Sequence, residues 1–267
     1  YHNVREEVAA MGVVYTDLES AMHGEYAEMI QKHFMKLVPP TDHKFAALHG
    51  AVWSGGSFVY VPKNVTVTIP LQSYFRLNAK GAGQFEHTLI IVEEGANLHF
   101  IEGCSAPKYN VANLHAGCVE LYVGKNATLR YSTIENWSKN MYNLNTKRAQ
   151  VEEGGKIEWV SGSFGSHVSY LYPMSVLKGR GAKMEFTGIT FAGNGEPTMH
   201  PDFEAVIGDT IALRDALCPA AKVSVLSNAT QIHRDSVRRA LLRVDNNILK
   251  LDSAFDETVR RMNNPQN

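Results

Sequence analysis

From residue 60 onward, apolar and polar positions alternate with a period of two, and a six-residue word returns along the chain. It reads Asn64-Val65-Thr66-Val67-Thr68-Ile69, Gly95-Ala96-Asn97-Leu98-His99-Phe100, Asn126-Ala127-Thr128-Leu129-Arg130-Tyr131, Gly154-Gly155-Lys156-Ile157-Glu158-Trp159 and Gly181-Ala182-Lys183-Met184-Glu185-Phe186. The word starts at 64, 95, 126, 154 and 181, giving spacings of 31, 31, 28 and 27 residues. Each copy opens on Gly or Asn, which tolerate the positive φ of a tight corner. Alternate positions after it share one side of a strand. A repeat of this length built from strands is the mark of a solenoid. A plain antiparallel sandwich with regular turns is the alternative. In the solenoid, Ile69, Phe100, Tyr131, Trp159 and Phe186 stack as a buried ladder inside successive coils.

Around this stretch the periodicity differs. Residues 4–38 read as helical: Val4, Val8 and Met11 lie on one face, Gly12 stops that run, and Leu18, Met22, Tyr26, Met29, Ile30, His33 and Phe34 form a second. Pro39-Pro40 ends it. After Phe191 a helix over 202–217, a strand over 222–228, a helix over 235–244 with Asp235 as N-cap and a strand over 248–251 follow. Alternating strands and helices indicate βα units, so a boundary is predicted at 187–195.

Composition narrows the function classes. The 267 residues carry a formal net charge of -1 with 44% hydrophobic and 20% charged residues. That is globular, and it lacks the basic excess expected of a nucleic-acid binder. No apolar run is long enough to span a membrane and no signal peptide is visible, so neither a membrane nor a nucleic acid is an expected partner. Cys104, Cys118 and Cys218 are far apart and form no C-x-x-C pair. Such sparse, odd-numbered cysteines fit a reducing, cytoplasmic setting.

Several long strings resemble one family. They are FAALHGAVWSGGSFVYVPK (45–63), IPLQSYFRLNAKGAGQFEHTLIIVEEG (69–95), EGCSAP (102–107) and TIENWSKNMYNLNTKRA (133–149), with a weaker likeness back to YHNVREE and on to about 191. Together they resemble the SufB branch of the SufB/SufD family of iron–sulfur cluster assembly scaffolds. The resemblance implies a right-handed parallel β-helix. It implies partners in a SufC-like ATPase, a SufD-like subunit and a sulfur donor protein, a transient iron–sulfur cluster, and a flavin in some complexes. Cys104 aligns with a functionally important cysteine; a thiolate can accept sulfur and ligate iron. Arg76, Asn78, Trp137 and Lys147 align with positions implied to line a sulfur path inside the β-helix. Glu135 stands where the family usually has Gln, adding a charge that repels an anionic sulfur intermediate. His87 stands where Arg is usual and costs at most a salt bridge. Cys118 in CVELYV reads as core, and His99, His115 and His167 share no metal-ligand spacing.

Residues 189–267 resemble an internal piece of a radical S-adenosylmethionine enzyme, on ITFAGNGEPTMHPDF (189–203), AKVSVLSNAT (221–230) and VDNNILKLDSA (244–254). The resemblance implies contacts to that cofactor from Gly193, Asn194, Gly195, Glu196, Pro197, Ser227 and Asn228. The C-x-x-x-C-x-x-C motif such enzymes need for their cluster is missing, so the cofactor is not expected here.

The sequence thus predicts a helical segment over 1–44, a shortened β-helix over 45–191 and an incomplete α/β fragment of a partial (βα) barrel over 192–267, joined as a chimera. The expected function is a non-enzymatic assembly scaffold. A cofactor-cleaving fusion and an inert β-helix interaction module stay open. Cys104 is expected just past a strand end, at a coil corner, facing the interior or mouth within reach of Arg76, Asn78 or Lys147. A close cation there depresses the thiol pKa.

Overall fold

The computed structural model describes residues 6–190, 197–217, 219, 222–227 and 231–249. The chain divides into two compact units, 1–192 and 193–267.

The first unit is a solenoid of two parallel sheets. One contains β2 (Ser57–Val61), β4 (Gly83–Gln84) with β5 (His87–Val92), β7 (Asn113–His115) with β8 (Cys118–Val123), β10 (Met141–Val151) and β12 (Val168–Leu177). The other contains β3 (Leu71–Arg76), β6 (Asn97–Ser105), β9 (Thr128–Asn136), β11 (Lys156–Phe164) and β13 (Lys183–Thr190). Each coil gives one strand segment to each sheet, and every coil pairs in parallel with the next. The repeated word marks the corner before each second-sheet strand. Its first residue has positive φ in every copy: Asn64 59°, Gly95 69°, Asn126 56°, Gly154 65° and Gly181 77°.

The ladder exists with two changes. Leu71, Phe100, Tyr131, Trp159 and Phe186 occupy one register position. Ile69 does not. Thr66 bridges Asn97 but Leu71 faces Phe100, so the first coil carries two extra residues around Pro70, which cannot donate to the ladder. Phe100, Tyr131 and Trp159 are buried, whereas Phe186 is 46% exposed, on the last strand of its sheet among the described residues. With Val59, Val61, Ile90, Val92, Leu121, Leu129, Val151 and Ile157, the buried members form a continuous apolar core.

The N-terminal stretch is not all helix. After α1 (Glu6–Ala10), Val14–Asp17 forms strand β1, antiparallel to β2. It covers an edge that would otherwise offer unpaired backbone groups. Asp17 then caps α2 (Leu18–Met22), accepting from the Ser20 amide at 2.8 Å. Leu18 and Ala21 of α2 and Ile30 of α3 (Ala27–His33) pack on Phe58, Leu89 and Ile91. This burial of both faces explains why β5 is buried at every position. Helix α4 (Lys44–Val52) follows, capped by His43, whose Nδ1 accepts from the Phe45 and Ala46 amides.

The second unit contains α5 (Phe203–Leu217), β14 (Ser224–Ser227), α6 (Asp235–Leu241) and β15 (Asn246–Leu249), with β14 and β15 parallel. This is one βαβ crossover. The N-cap of α6 is Arg234, with no side-chain cap bond, so Asp235 is the first helical residue and not the cap. Among the described residues no helix is long and apolar enough to cross a membrane.

The stack makes burial depend on coil position. Leu129→Ala, in a middle coil at 0% exposure, is expected to cost about 2–5 kcal/mol in urea unfolding. Met184→Ala, at 46% exposure in the last coil, is expected to change stability by no more than about 0.5 kcal/mol.

Candidate functional site

Beyond the apolar ladder, the same strands continue into a polar interior. In β9 burial alternates strictly, placing Leu129, Tyr131, Thr133 and Glu135 inside. The register extends those rows to Leu98, Phe100, Glu102 and Cys104 in β6. Cys104 is therefore inside β6, one residue before its end, 1% exposed, and not past the strand at a coil corner. Its Cα partners are Phe75 and Glu135 in the adjoining coils, and it packs with Leu77, Trp137 and Met141.

The facing sheet supplies matching polar rows. The ligand-capable atoms of Glu86, Cys104 and His115 all lie within 4.8 Å of one another. His115 Nε2 lies 2.5 Å from Glu86 Oε1, and its Nδ1 2.6 Å from Asn143 Oδ1. Both partners are acceptors, so the ring binds best as imidazolium. Burial pulls its pKa down, but the Glu86 charge and hydrogen bond, Glu135 and Asn143 outweigh that and raise it to about 9. Burial likewise pushes Glu86 up, and His115 with its hydrogen bonds brings it below the ordinary value. Gly117 makes the pair possible: a Cβ there would stand 2.9 Å from both Glu86 Oε1 and His115 Nε2.

A second ion pair adjoins it through Asn143, which bonds both His115 and Glu135. Lys147 Nζ donates to Thr133 Oγ1 at 2.9 Å and Glu135 Oε1 at 3.4 Å. Glu135 also accepts from Asn143, Asn145 and Ser163. Burial pushes Glu135 up, but Lys147, His115 and the asparagines hold it below the ordinary value. Glu135 is thus a paired, ionised carboxylate, and its charge still disfavours an anionic sulfur on Cys104. The third carboxyl, Glu102, bonds Thr88 Oγ1 at 2.8 Å and is pushed up, chiefly by burial. Two cations face two carboxylates, and the third acid tends to its neutral form.

The expected depressed thiol pKa is overturned. Burial, then Glu102, Glu86 and Glu135, raise Cys104 well above its ordinary value, and Lys147 offsets only part. Arg76 and Asn78 do not line the interior: both are exposed, and Arg76 Nε donates to Asn78 Oδ1 at 2.8 Å. Trp137 is buried, its ring 4.7 Å from that of His115. Lys147 and Thr133 also line a cavity of about 440 Å³ with Asn145, Trp159, Tyr172 and Phe186. Sequence reading missed Glu86 and His115, whose partners stand one coil away; the repeat period was the signal that could have found them. His99, bonded to Ser132, and exposed His167 take no part.

Of the residues tied to S-adenosylmethionine, Gly193, Asn194, Gly195, Glu196 and Asn228 lie outside the described residues, as does Cys218. Pro197 begins a 3-10 turn over Pro197–Met199, and Ser227 is buried at the end of β14.

The coupled pair fixes a pH dependence. The His115 pKa is raised from 6.5 to about 9, so its contribution is complete below pH 6.5 and lost as pH rises toward 9. Glu86 is lowered, so its contribution holds above the ordinary 4.5 and is lost as pH falls through its folded value. Urea unfolding is expected to show stability declining from pH 6.5 to 9, by on the order of 3 kcal/mol from this group. His115→Gln should remove that part of the slope.

Comparison with known proteins gives the family. Residues 75–203 match the SufBD core domain of SUF-system FeS cluster assembly, and residues 1–73 match the SufBD N-terminal region. An iron–sulfur cluster assembly SufBD family protein of Staphylococcus aureus (strain MRSA252) is 52% identical over 196 residues, 73% of this chain and 42% of that protein. The iron–sulfur cluster assembly protein SufB of Bacillus subtilis (strain 168) is 50% identical over 196 residues, again 73% of this chain and 42% of that protein. The chain thus spans less than half the length of these relatives. The core-domain match runs through the GNGEP word to residue 203, and these comparisons give no support to a radical S-adenosylmethionine chimera. Across residues 1–203 the chain belongs to the SufBD family.

Proposed function

We propose that this chain serves iron–sulfur cluster assembly as a non-enzymatic scaffold, with Cys104 as the sulfur acceptor. The observation that carries this is the placement of a free thiol against Glu86 and His115 in a polar, charge-balanced interior. The thiol proton passes to the Glu86 carboxylate. The Cys104 sulfur then attacks the outer sulfur of a donor persulfide: a new S–S bond forms on Cys104, the donor's S–S bond breaks, and the donor leaves as a thiolate. Lys147 opposes the negative charge that remains. It stands at the wall of the cavity, which gives the sulfur a space to move into. Iron arrives as cargo. Cys104, Glu86 and His115 supply sulfur, oxygen and nitrogen ligands to it, provided His115 gives up its proton.

Arg76 and Asn78 lie on the outside of the coil beside Cys104. There they suit contact with the donor protein better than a part in the interior path. A SufC-like ATPase and a SufD-like subunit are the partners this reading implies, and the free thiols suit the cytoplasm.

Anaerobic incubation with a persulfide donor, followed by mass spectrometry of the intact chain, tests this. Wild type is expected to gain one sulfur on Cys104. Cys104→Ser should lose it, Glu86→Gln should load roughly 10-fold or more slowly, and Cys118→Ser should load normally. Loading of the folded Cys104→Ser variant at the wild-type level would overturn the assignment.

A further inference from the structure

A second cluster lies on the opposite face of the first sheet, away from Cys104. His87 and Cys118 are Cα partners in adjacent coils, and His49 comes down on them from α4. All three are buried, and one ligand-capable atom from each lies within 4.8 Å of the others.

The hydrogen-bond accounting around the two rings is specific. His49 Nδ1 lies 2.8 Å from the Ala116 carbonyl, which can only accept, so this nitrogen carries the hydrogen. His87 Nε2 lies 2.9 Å from Glu120 Oε2. That carboxylate already takes the Met35, Leu37 and Val38 amides at 2.6, 2.7 and 2.9 Å. Four donors converge on it, so His87 Nε2 carries its hydrogen too. With both outer nitrogens committed, neutral rings turn bare lone pairs toward each other, His49 Nε2 and His87 Nδ1, at 3.0 Å. Two lone pairs at that distance repel unless a cation sits between them. The cation is either a shared proton or a metal ion.

We propose that His49, His87 and Cys118 bind a divalent transition-metal ion of the zinc type, pinning α4 to the solenoid wall. Ligand chemistry favours the metal over the proton. Imidazole nitrogen and thiolate sulfur are a zinc-type donor set. A histidine whose far nitrogen donates to a carboxylate or a backbone carbonyl is oriented as metal-bound histidines are. At Zn–N distances of roughly 2.0–2.1 Å, two nitrogens of a tetrahedral site stand about 3.3 Å apart, so the two rings need part by only a few tenths of an ångström. Charge also closes: a divalent ion, a Cys118 thiolate and the Glu120 carboxylate sum to zero. A thiol gives up its proton on binding a metal, so binding is expected to strengthen with pH.

Cobalt(II) is the probe, because a thiolate–cobalt bond gives a charge-transfer absorption. The full chain, refolded anaerobically with Co²⁺, is expected to bind one ion showing that band and tetrahedral ligand-field absorption. Cys118→Ser should lose the charge-transfer band and His49→Gln should weaken binding at least 10-fold, each with unchanged circular dichroism. Cys104→Ser should keep the band, which separates this site from the interior cluster and from the sulfur-acceptor role. Absence of a thiolate–cobalt band in the folded wild type overturns the proposal, whatever the variants do, and points to a shared proton. A band that persists in folded Cys118→Ser overturns it as well.

Discussion

Everything in the first unit depends on one constraint, the parallel backbone ladder that sets each coil over the last in fixed register. The ladder pairs Phe100 with Tyr131 and Tyr131 with Trp159, and a few residues on it pairs Cys104 with Glu135. Like positions must therefore agree in chemistry. At one end of the strands they agree by being apolar, and the rings of Phe100 and Tyr131 stack at 5.9 Å. At the other end the interior positions are polar: Glu86 meets His115 of the next coil, and Glu135 meets Lys147 of the facing sheet.

That second agreement is costly. A buried ion pair gives up hydration worth several kcal/mol per charge, and it holds only where the remaining donors and acceptors are matched. Here Asn143 serves both His115 and Glu135, and Asn145 and Ser163 complete the Glu135 carboxylate. The continuous apolar core beside it supplies stability that tolerates such a cluster. A protein that needed only a stable rod would fill the interior with valine and isoleucine throughout. Burial and the surrounding acids hold the Cys104 thiol in its protonated form.

The coils were legible in the sequence because their corners need positive φ, which restricts each first position to Gly or Asn. Ile69 misled because the insertion at Pro70 shifts the register to Leu71 without disturbing the word. Val14–Asp17 misled because its four residues sit between helical runs, and only their partner β2, far along the chain, makes them a strand. The second-unit helices and strands followed local periodicity and were legible, although the cap at Asp235 was one residue off. The site was harder. Cys104 was visible through the strings around it, but stopping the strand at Ile101 placed it at a corner. Continuing the alternation through Glu102 and Cys104 would have kept it inside. Glu86 and His115, like His87 and Cys118, meet only because successive coils stack, so no short spacing motif marks either group.

Coil stacking couples Glu86 to His115 next to Cys104, and a double-mutant cycle measures that coupling. Urea unfolding of wild type, Glu86→Gln, His115→Gln and the double variant gives the interaction free energy. A favourable coupling of about 1–3 kcal/mol is expected at neutral pH, shrinking as pH rises toward 9. Effects that add to within about 0.5 kcal/mol would show the two side chains to be independent, and would contradict it.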